Sequence, residues 1–182
     1  MEIKFKNIEK YDLESLRNWR MKENVTKFLL TDPEISKEQQ IEWFENISND
    51  NTRYDYIIVC DDVKIGYYGI TNINYNNKSC EVGFYIGEDE YRGKGLFKKI
   101  NSCAENIIFN NLKLDNIYMR VLFDNPILNK YIYLGFEEDI AQRRMYNKNG
   151  KEHMLIYLSK QANKQANKQA SKQANKQTSK QA

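Results

Sequence analysis

The 182-residue chain has one histidine, two prolines, three cysteines and no long uninterrupted apolar run. Each scarcity excludes something. A single histidine, His153, leaves no material for a histidine-based metal centre, and no metal site is expected; His153 reads as a structural or surface residue of a C-terminal strand. Cys60, Cys80 and Cys103 fall on separate expected elements without metal-like spacing, so they read as reduced thiols. The apolar runs are too short to span a bilayer. Charges from Glu2 to Asp12 leave no apolar core for a signal peptide, and a cytoplasmic location is expected. Basic charge is also scarce outside the last residues. Residues 160–182 hold six lysines and no acid, so the net +3 of the whole chain becomes −3 for the rest. A mildly acidic body argues against nucleic-acid binding.

The length suits one domain. We assign it to residues 1–158, followed by a low-complexity tail over 159–182 in which Lys-Gln-Ala-Asn recurs with small changes. The repeat has no apolar surface to bury against its ordering entropy, so a disordered extension is expected. Its charge suits an acidic partner or a membrane surface, but a repeat expansion with little function is the preferred reading. The sequence sets no oligomeric state.

Alternation around Ile3 and Phe5 predicts a first strand. Leu13, Leu16 and Trp19 mark a helix face, and Ser36-Lys37-Glu38-Gln39 is a capping-box pattern ahead of Ile41, Phe44 and Ile47. Strands are expected over 54–60, 65–74 and 79–87, with Asp61-Asp62 as a turn. From Gly95 the period changes: Leu96, Ile100, Cys103 or Ala104, and Ile107 share a helical face. A strand over 116–122 and a helix around Tyr131 follow. Asn149-Gly150 then predicts a type I′ hairpin between two strands. One strand, two helices, three strands, helix, strand, helix and two strands imply an α/β (α+β) domain, a mixed sheet with helices on both sides.

The most informative stretch is Cys80 to Gly87 followed by Tyr91-Arg92-Gly93-Lys94-Gly95-Leu96-Phe97. It reads as strand, acidic loop and glycine-rich turn opening a helix. Unpaired N–H groups and the helix dipole favour a polyanion there. Glycine at 93 and 95 permits close approach and positive φ. A Walker A loop fails, because Gly87 is one residue too far from Gly93 and Gly95 follows Lys94 where Ser or Thr is needed. A dinucleotide fingerprint fails at Lys98, where the third glycine belongs. An ordinary strand–turn–helix junction remains open on the loop alone.

The third phosphate-loop pattern is that of acyl-CoA-dependent acetyltransferases, and here the chain resembles the GNAT family of N-acetyltransferases. Arg92 and Gly95 occupy the slots of its pyrophosphate loop, with Phe97 where a small residue is usual. Asn125, Tyr131 and Gly135-Phe136 resemble its later helix, with Asn125 one residue closer to Tyr131 than is usual. The resemblance spans roughly residues 1–158. It implies a mostly antiparallel sheet with two central strands splayed apart, and acetyl-CoA as cosubstrate. Phe84, Tyr85 and Ile86 would follow the pantetheine arm, with Arg92, Gly93, Lys94, Gly95, Leu96 and Phe97 around the pyrophosphate and Asn125 nearby.

The same resemblance implies direct transfer to a primary amine, with a backbone N–H as oxyanion donor and Tyr131 as general acid toward the CoA thiolate. A merely packed tyrosine is the competing reading. Glu81 is the candidate base, or else an ordinary salt-bridged carboxylate. The region Leu16-Arg17-Asn18-Trp19-Arg20 with Trp43-Phe44 resembles branches that acetylate amino sugars on nucleotides or protein N-termini. Arg20 and Trp19 are the candidate acceptor-binding residues, and a UDP-linked 4-amino-4,6-dideoxy sugar is the expected acceptor. A peptide N-terminus is the alternative, and a non-catalytic acetyl-CoA-binding module a further one.

Overall fold

The computed structural model describes residues 1–162, so most of the repeat tail lies outside the described residues. The strands are β1 (Ile3–Asn7), β2 (Tyr54–Cys60), β3 (Val63–Asn74), β4 (Ser79–Ile86), β5 (Asn116–Leu122), β6 (Glu137–Glu138), β7 (Arg144–Lys148) and β8 (Lys151–Gln161). The helices are α1 (Leu13–Met21), α2 (Glu23–Thr26), α3 (Lys37–Ser48), α4 (Phe97–Glu105) and α5 (Leu128–Tyr133). Helix α2 and strand β6 are too short to leave a periodic signal in sequence. The last strand runs three residues beyond the expected domain end at 158. Its Lys160 is buried and donates to Glu105 Oε1 at 2.5 Å, which fixes the strand end against α4.

One sheet runs in the order β1-β2-β3-β4-β5-β8-β6, with β7 paired to β8. Its neighbours are antiparallel except β4 and β5, which are parallel. That parallel pairing spans Ser79–Glu81 against Asn116–Tyr118 and then stops. Beyond it β4 keeps β3 as partner through Ile86, while β5 keeps β8 through Leu122. The two strands therefore part in the middle of the sheet.

Side-chain alternation along β2 divides the core into two layers. Ile57 and Val59 pack with Leu13, Leu16 and Trp19 on the α1–α3 side. Ile58 and Cys60 face the other side, with Ile100, Ala104, Ile108 and Tyr131. Ser36 caps α3 as its sequence predicts: Gln39 N donates to Ser36 Oγ at 3.2 Å and Ser36 N to Gln39 Oε1 at 2.8 Å. The inner face of α3 differs from expectation. Phe44 turns inward as expected, but Gln40 and Trp43 join it in place of the exposed Ile41, and Trp43 meets the Tyr67 ring of β3. Past the end of α4, Ile108 and not the expected Ile107 is the fully buried residue. Residues Asn106–Asn111 form a π-helical turn, with Leu112 N bonded to Ile107 O. The wider turn rotates less per residue and keeps positions 100, 104 and 108 in line.

Trp19 is an anchor between layers. It is 4% exposed, its Nε1 donates to Glu88 at 2.7 Å, and a Cβ on Gly87 would lie 2.1 Å from its ring. Gly87→Ala therefore forces the indole off its seat. We expect a loss of about 1–3 kcal/mol, the cost of an overpacked core, read as a lower urea midpoint at unchanged slope.

Candidate active site

Where β4 and β5 part, Val82–Ile86 has no strand partner on its β5 side. A backbone edge buried without partners is costly, so this edge suits a ligand that hydrogen-bonds as a strand does. At its end, Arg92 donates through Nε and Nη2 to Ile86 O, at 3.0 and 2.8 Å, and through Nη1 to Asn24 O at 2.6 Å. Arg92 thus clamps the end of β4 to α2.

The loop after it has the geometry that its glycines predict. Gly93 and Gly95 have φ of 70° and 74°, and a Cβ on either would meet no protein atom. Alternating backbone handedness at such a turn gathers N–H groups into an anion-binding concavity. Among the described residues, the N–H groups from Gly93 to Lys99 have no protein acceptor. The loop therefore presents a run of free donors at the start of α4.

A cavity of about 290 Å³ opens between this loop, β4 and the segment before α5. Phe84, Tyr85, Ile86, Arg92, Gly93, Gly95, Leu96, Phe97 and Asn125 all line it, and Lys94 does not. Lys94 is exposed. Asn125 does not point its oxygen into the space; its Oδ1 accepts from Ile127 N at 3.0 Å and holds the turn into α5. Phe28, Leu29 and Lys130 also line the cavity. They carry no sequence signal: the segment 27–35 has no periodicity, and the Lys130 ammonium gains meaning only 6.0 Å from the Phe97 ring.

Two further cavities adjoin. One of about 300 Å³ shares Leu29, Phe84 and Tyr85 with the first and reaches Glu81, Arg120 and Arg20. The other, about 410 Å³, shares Arg20, Tyr67 and Tyr85 with the second and is walled by Trp43, Glu34 and Gln40. Tyr85 lines all three. Trp19 lines none of them, because its ring is spent on Gly87 and the α1–α3 core; the neighbouring Trp43 faces the cavity instead.

Arg20 sits at the junction. Its Nη2 donates to Thr31 O and Oγ1, at 3.0 and 2.6 Å, while its Nη1 is buried without a partner. Burial lowers its pKa, opposed by Tyr85, Asp32 and Tyr67. Burial pushes the Tyr85 phenol up, against the pull of Arg20. Behind Tyr67 lies Asp55, which accepts from the Tyr67 hydroxyl at 2.5 Å and from Arg53 through both oxygens.

Glu81 is not a free carboxylate. Oε1 accepts from Arg120 Nε at 2.7 Å and Oε2 from Asn72 Nδ2 at 2.9 Å. Both oxygens have donors, and the carboxylate is held between β5 and the Asn72 amide. Tyr131 is 4% exposed, with its ring edge-on to Phe97 at 4.8 Å and to Phe136 at 5.1 Å. It lies behind the Phe97 wall of the first cavity. Burial pushes its hydroxyl above the ordinary phenol range, so it stays protonated at neutral pH. The thiols are poor nucleophiles: burial pushes Cys80 up to about 12 and raises Cys60 and Cys103 as well. Among the described residues no cluster of three His, Cys, Asp or Glu side chains could hold a metal.

A splayed β4–β5 pair, a donor-rich loop at a helix start and a cavity joining them define an acetyl-CoA-dependent acetyltransferase. Residues 2–130 match the acetyltransferase (GNAT) domain, and the chain belongs to that family. It is an N-acetyltransferase with acetyl-CoA as cosubstrate. Two named relatives are similar over most of their length. A spermidine N(1)-acetyltransferase of Vibrio cholerae is 25% identical over 170 residues, 89% of this chain and 96% of the relative. That of Escherichia coli K12 is 24% identical over 150 residues, 82% and 80% of the two chains. The crystal structure of the Vibrio cholerae spermidine N-acetyltransferase with CoA and spermine superposes with a TM-score of 0.82 at 23% identity, covering 88% of this chain and 95% of the other. These relatives correct the expected nucleotide-sugar branch. Of the Trp-Arg and Trp-Phe pairs that suggested it, Trp19 and Phe44 serve the core, while Arg20 and Trp43 line cavities.

At Gly95 an alanine would carry its Cβ at a positive φ and into the space beside the free N–H groups. We expect Gly95→Ala to weaken acetyl-CoA binding about tenfold, which is about 1.4 kcal/mol, measured by calorimetry.

Proposed function

We propose that the chain transfers the acetyl group of acetyl-CoA directly to a primary amine of an aliphatic polyamine such as spermidine. The observation that carries this reading is the pair of aromatic-walled cavities that meet the cofactor cavity at Tyr85. Faces of Trp43, Tyr67 and Tyr85 suit methylene chains and attract ammonium groups. Glu34 adds negative charge to the wall. The relatives named above support the same acceptor class.

In this reading the pantetheine arm lies along Val82–Ile86 and the pyrophosphate takes the N–H groups after Arg92. The amine, once neutral, attacks the thioester carbon near Phe84 and Tyr85. A backbone N–H on β4 donates to the oxyanion. Tyr131 donates toward the departing thiolate, which requires a small movement of Phe97. Glu81, held between Arg120 and Asn72, orients the rim of the acceptor cavity, and the amine proton leaves through water. The domain ends where β8 ends, with the repeat beyond it.

A second reading rests on Arg20. A buried Nη1 without a partner costs free energy that a ligand oxygen would restore, and a guanidinium repels a polycation. An amine that also carries an oxygen acceptor, such as a peptide N-terminus, satisfies both points.

Mass spectrometry after incubation with acetyl-CoA, spermidine and an alanine-initiated peptide separates the two. Acetylated spermidine is the expected product. Acetylation of the peptide alone, with a raised peptide KM in Arg20→Gln, replaces the polyamine with the second acceptor. Tyr131→Phe should lower kcat about a hundredfold or more, the range of acid catalysis, with acetyl-CoA affinity unchanged. A kcat within threefold of wild type would remove Tyr131 from the proton path.

A further inference from the structure

The β7–β8 hairpin reaches across to a segment distant in sequence. Lys148, the last residue of β7, is 8% exposed. Its Nζ donates to Thr26 O at 2.7 Å and Lys27 O at 3.4 Å and pairs with Asp32 Oδ1 at 2.8 Å. An ammonium has three donors and no acceptor, so all three are satisfied by this one segment. The next residue, Asn149, donates through Nδ2 to Asp32 Oδ2 at 2.6 Å. Asn149 and Gly150 have φ of 52° and 79°, the two-residue turn their sequence predicts, and this geometry aims the amide at Asp32. Two residues before Lys148, the Tyr146 hydroxyl donates to Leu30 O at 2.8 Å.

The segment so held is the wall between the substrates. Phe28 and Leu29 line the cofactor cavity, Leu29, Leu30 and Thr31 line the adjoining acceptor cavity, and Thr31 holds Arg20. The segment from Lys27 to Ser36 has no regular secondary structure to set its path. A lysine this buried is costly unless its charge is matched. Burial works to raise the Asp32 carboxyl, but the hydrogen bond and charge of Lys148, aided by Asn149 and Thr26, hold it below its ordinary value.

We propose that Lys148 is a positioning residue for both substrates: through Thr26, Lys27 and Asp32 it fixes the wall at which the acetyl donor and the amine meet. It touches neither substrate. The inference rests on the acetyltransferase activity and not on which amine is acetylated.

The test uses the full chain and two probes, acetyl-CoA binding by calorimetry and spermidine turnover. Lys148→Met should weaken acetyl-CoA at least fivefold and raise the spermidine KM by at least as much, with kcat changed less than KM. Lys148→Arg, which keeps charge and donors, should recover most of the acetyl-CoA affinity. Tyr146→Phe removes a single bond at Leu30 without stranding a charge, and should weaken acetyl-CoA in the same direction by two- to threefold. Exposed Lys151→Met is the control and should match wild type. A folded Lys148→Met with acetyl-CoA affinity within twofold of wild type overturns the proposal. If Lys148→Met does not fold, Asp32→Asn with Tyr146→Phe replaces it under the same criterion. Because acetyl-CoA affinity is read without an acceptor, failure of the clasp and failure of the spermidine assignment are distinguishable.

Discussion

The site depends on the ending of one hydrogen-bonded ladder. After Glu81 and Tyr118 the parallel pairing of β4 and β5 stops, and each strand stays with its other neighbour. A sheet interior does not tolerate unpaired backbone groups, so the gap is stable only with substitutes. Arg92 supplies one by taking the Ile86 carbonyl. The remaining edge is what an amide-bearing cofactor arm matches. In the proposed reading rigid strands would set the place of reaction, and the surrounding loops only its walls.

The two sides of the site are built differently. In the proposed reading the cofactor side is a local structure: β4, the turn and the start of α4 follow one another in the chain, and backbone would do most of the recognition. In the same reading the acceptor side is assembled from α1, the segment before α3, β3 and β4, and side chains would do the recognition. Backbone recognition tolerates change in side chains. Side-chain recognition does not, so the acceptor is the more readily altered of the two substrates.

The same division explains what could be read in the sequence. Gly93 and Gly95 announced positive φ because few other residues adopt it, and the Ser36–Gln39 box and Asn149-Gly150 turn are equally local signals. Tyr131 could be placed by its distance to Gly135, yet its seat behind Phe97 could not. Trp19 and Trp43 looked alike in sequence. What separates them is Gly87, sixty-odd residues from Trp19 along the chain, whose missing side chain makes room for one indole. For Glu81 the sequence offers a base or a salt-bridged carboxylate, and the Arg120 partner, which lies on another strand, has no local signal. Leu29 and Lys148 gave no signal, since a residue that acts by bridging distant segments has no pattern of its own. The acceptor branch was misread for the same reason.

The π-helical turn at Asn106–Asn111 has a bearing on how this chain can change length. Such a turn holds one residue more than an α-helical turn. It lies at the far end of the helix that begins at the Gly93–Gly95 loop, and it holds the buried Ile108. An inserted or deleted residue there can be absorbed by exchanging π for α geometry, whereas the same event near Phe97 would rotate the free N–H groups away from the cavity. The helix therefore carries its slack at one end and its fixed register at the other.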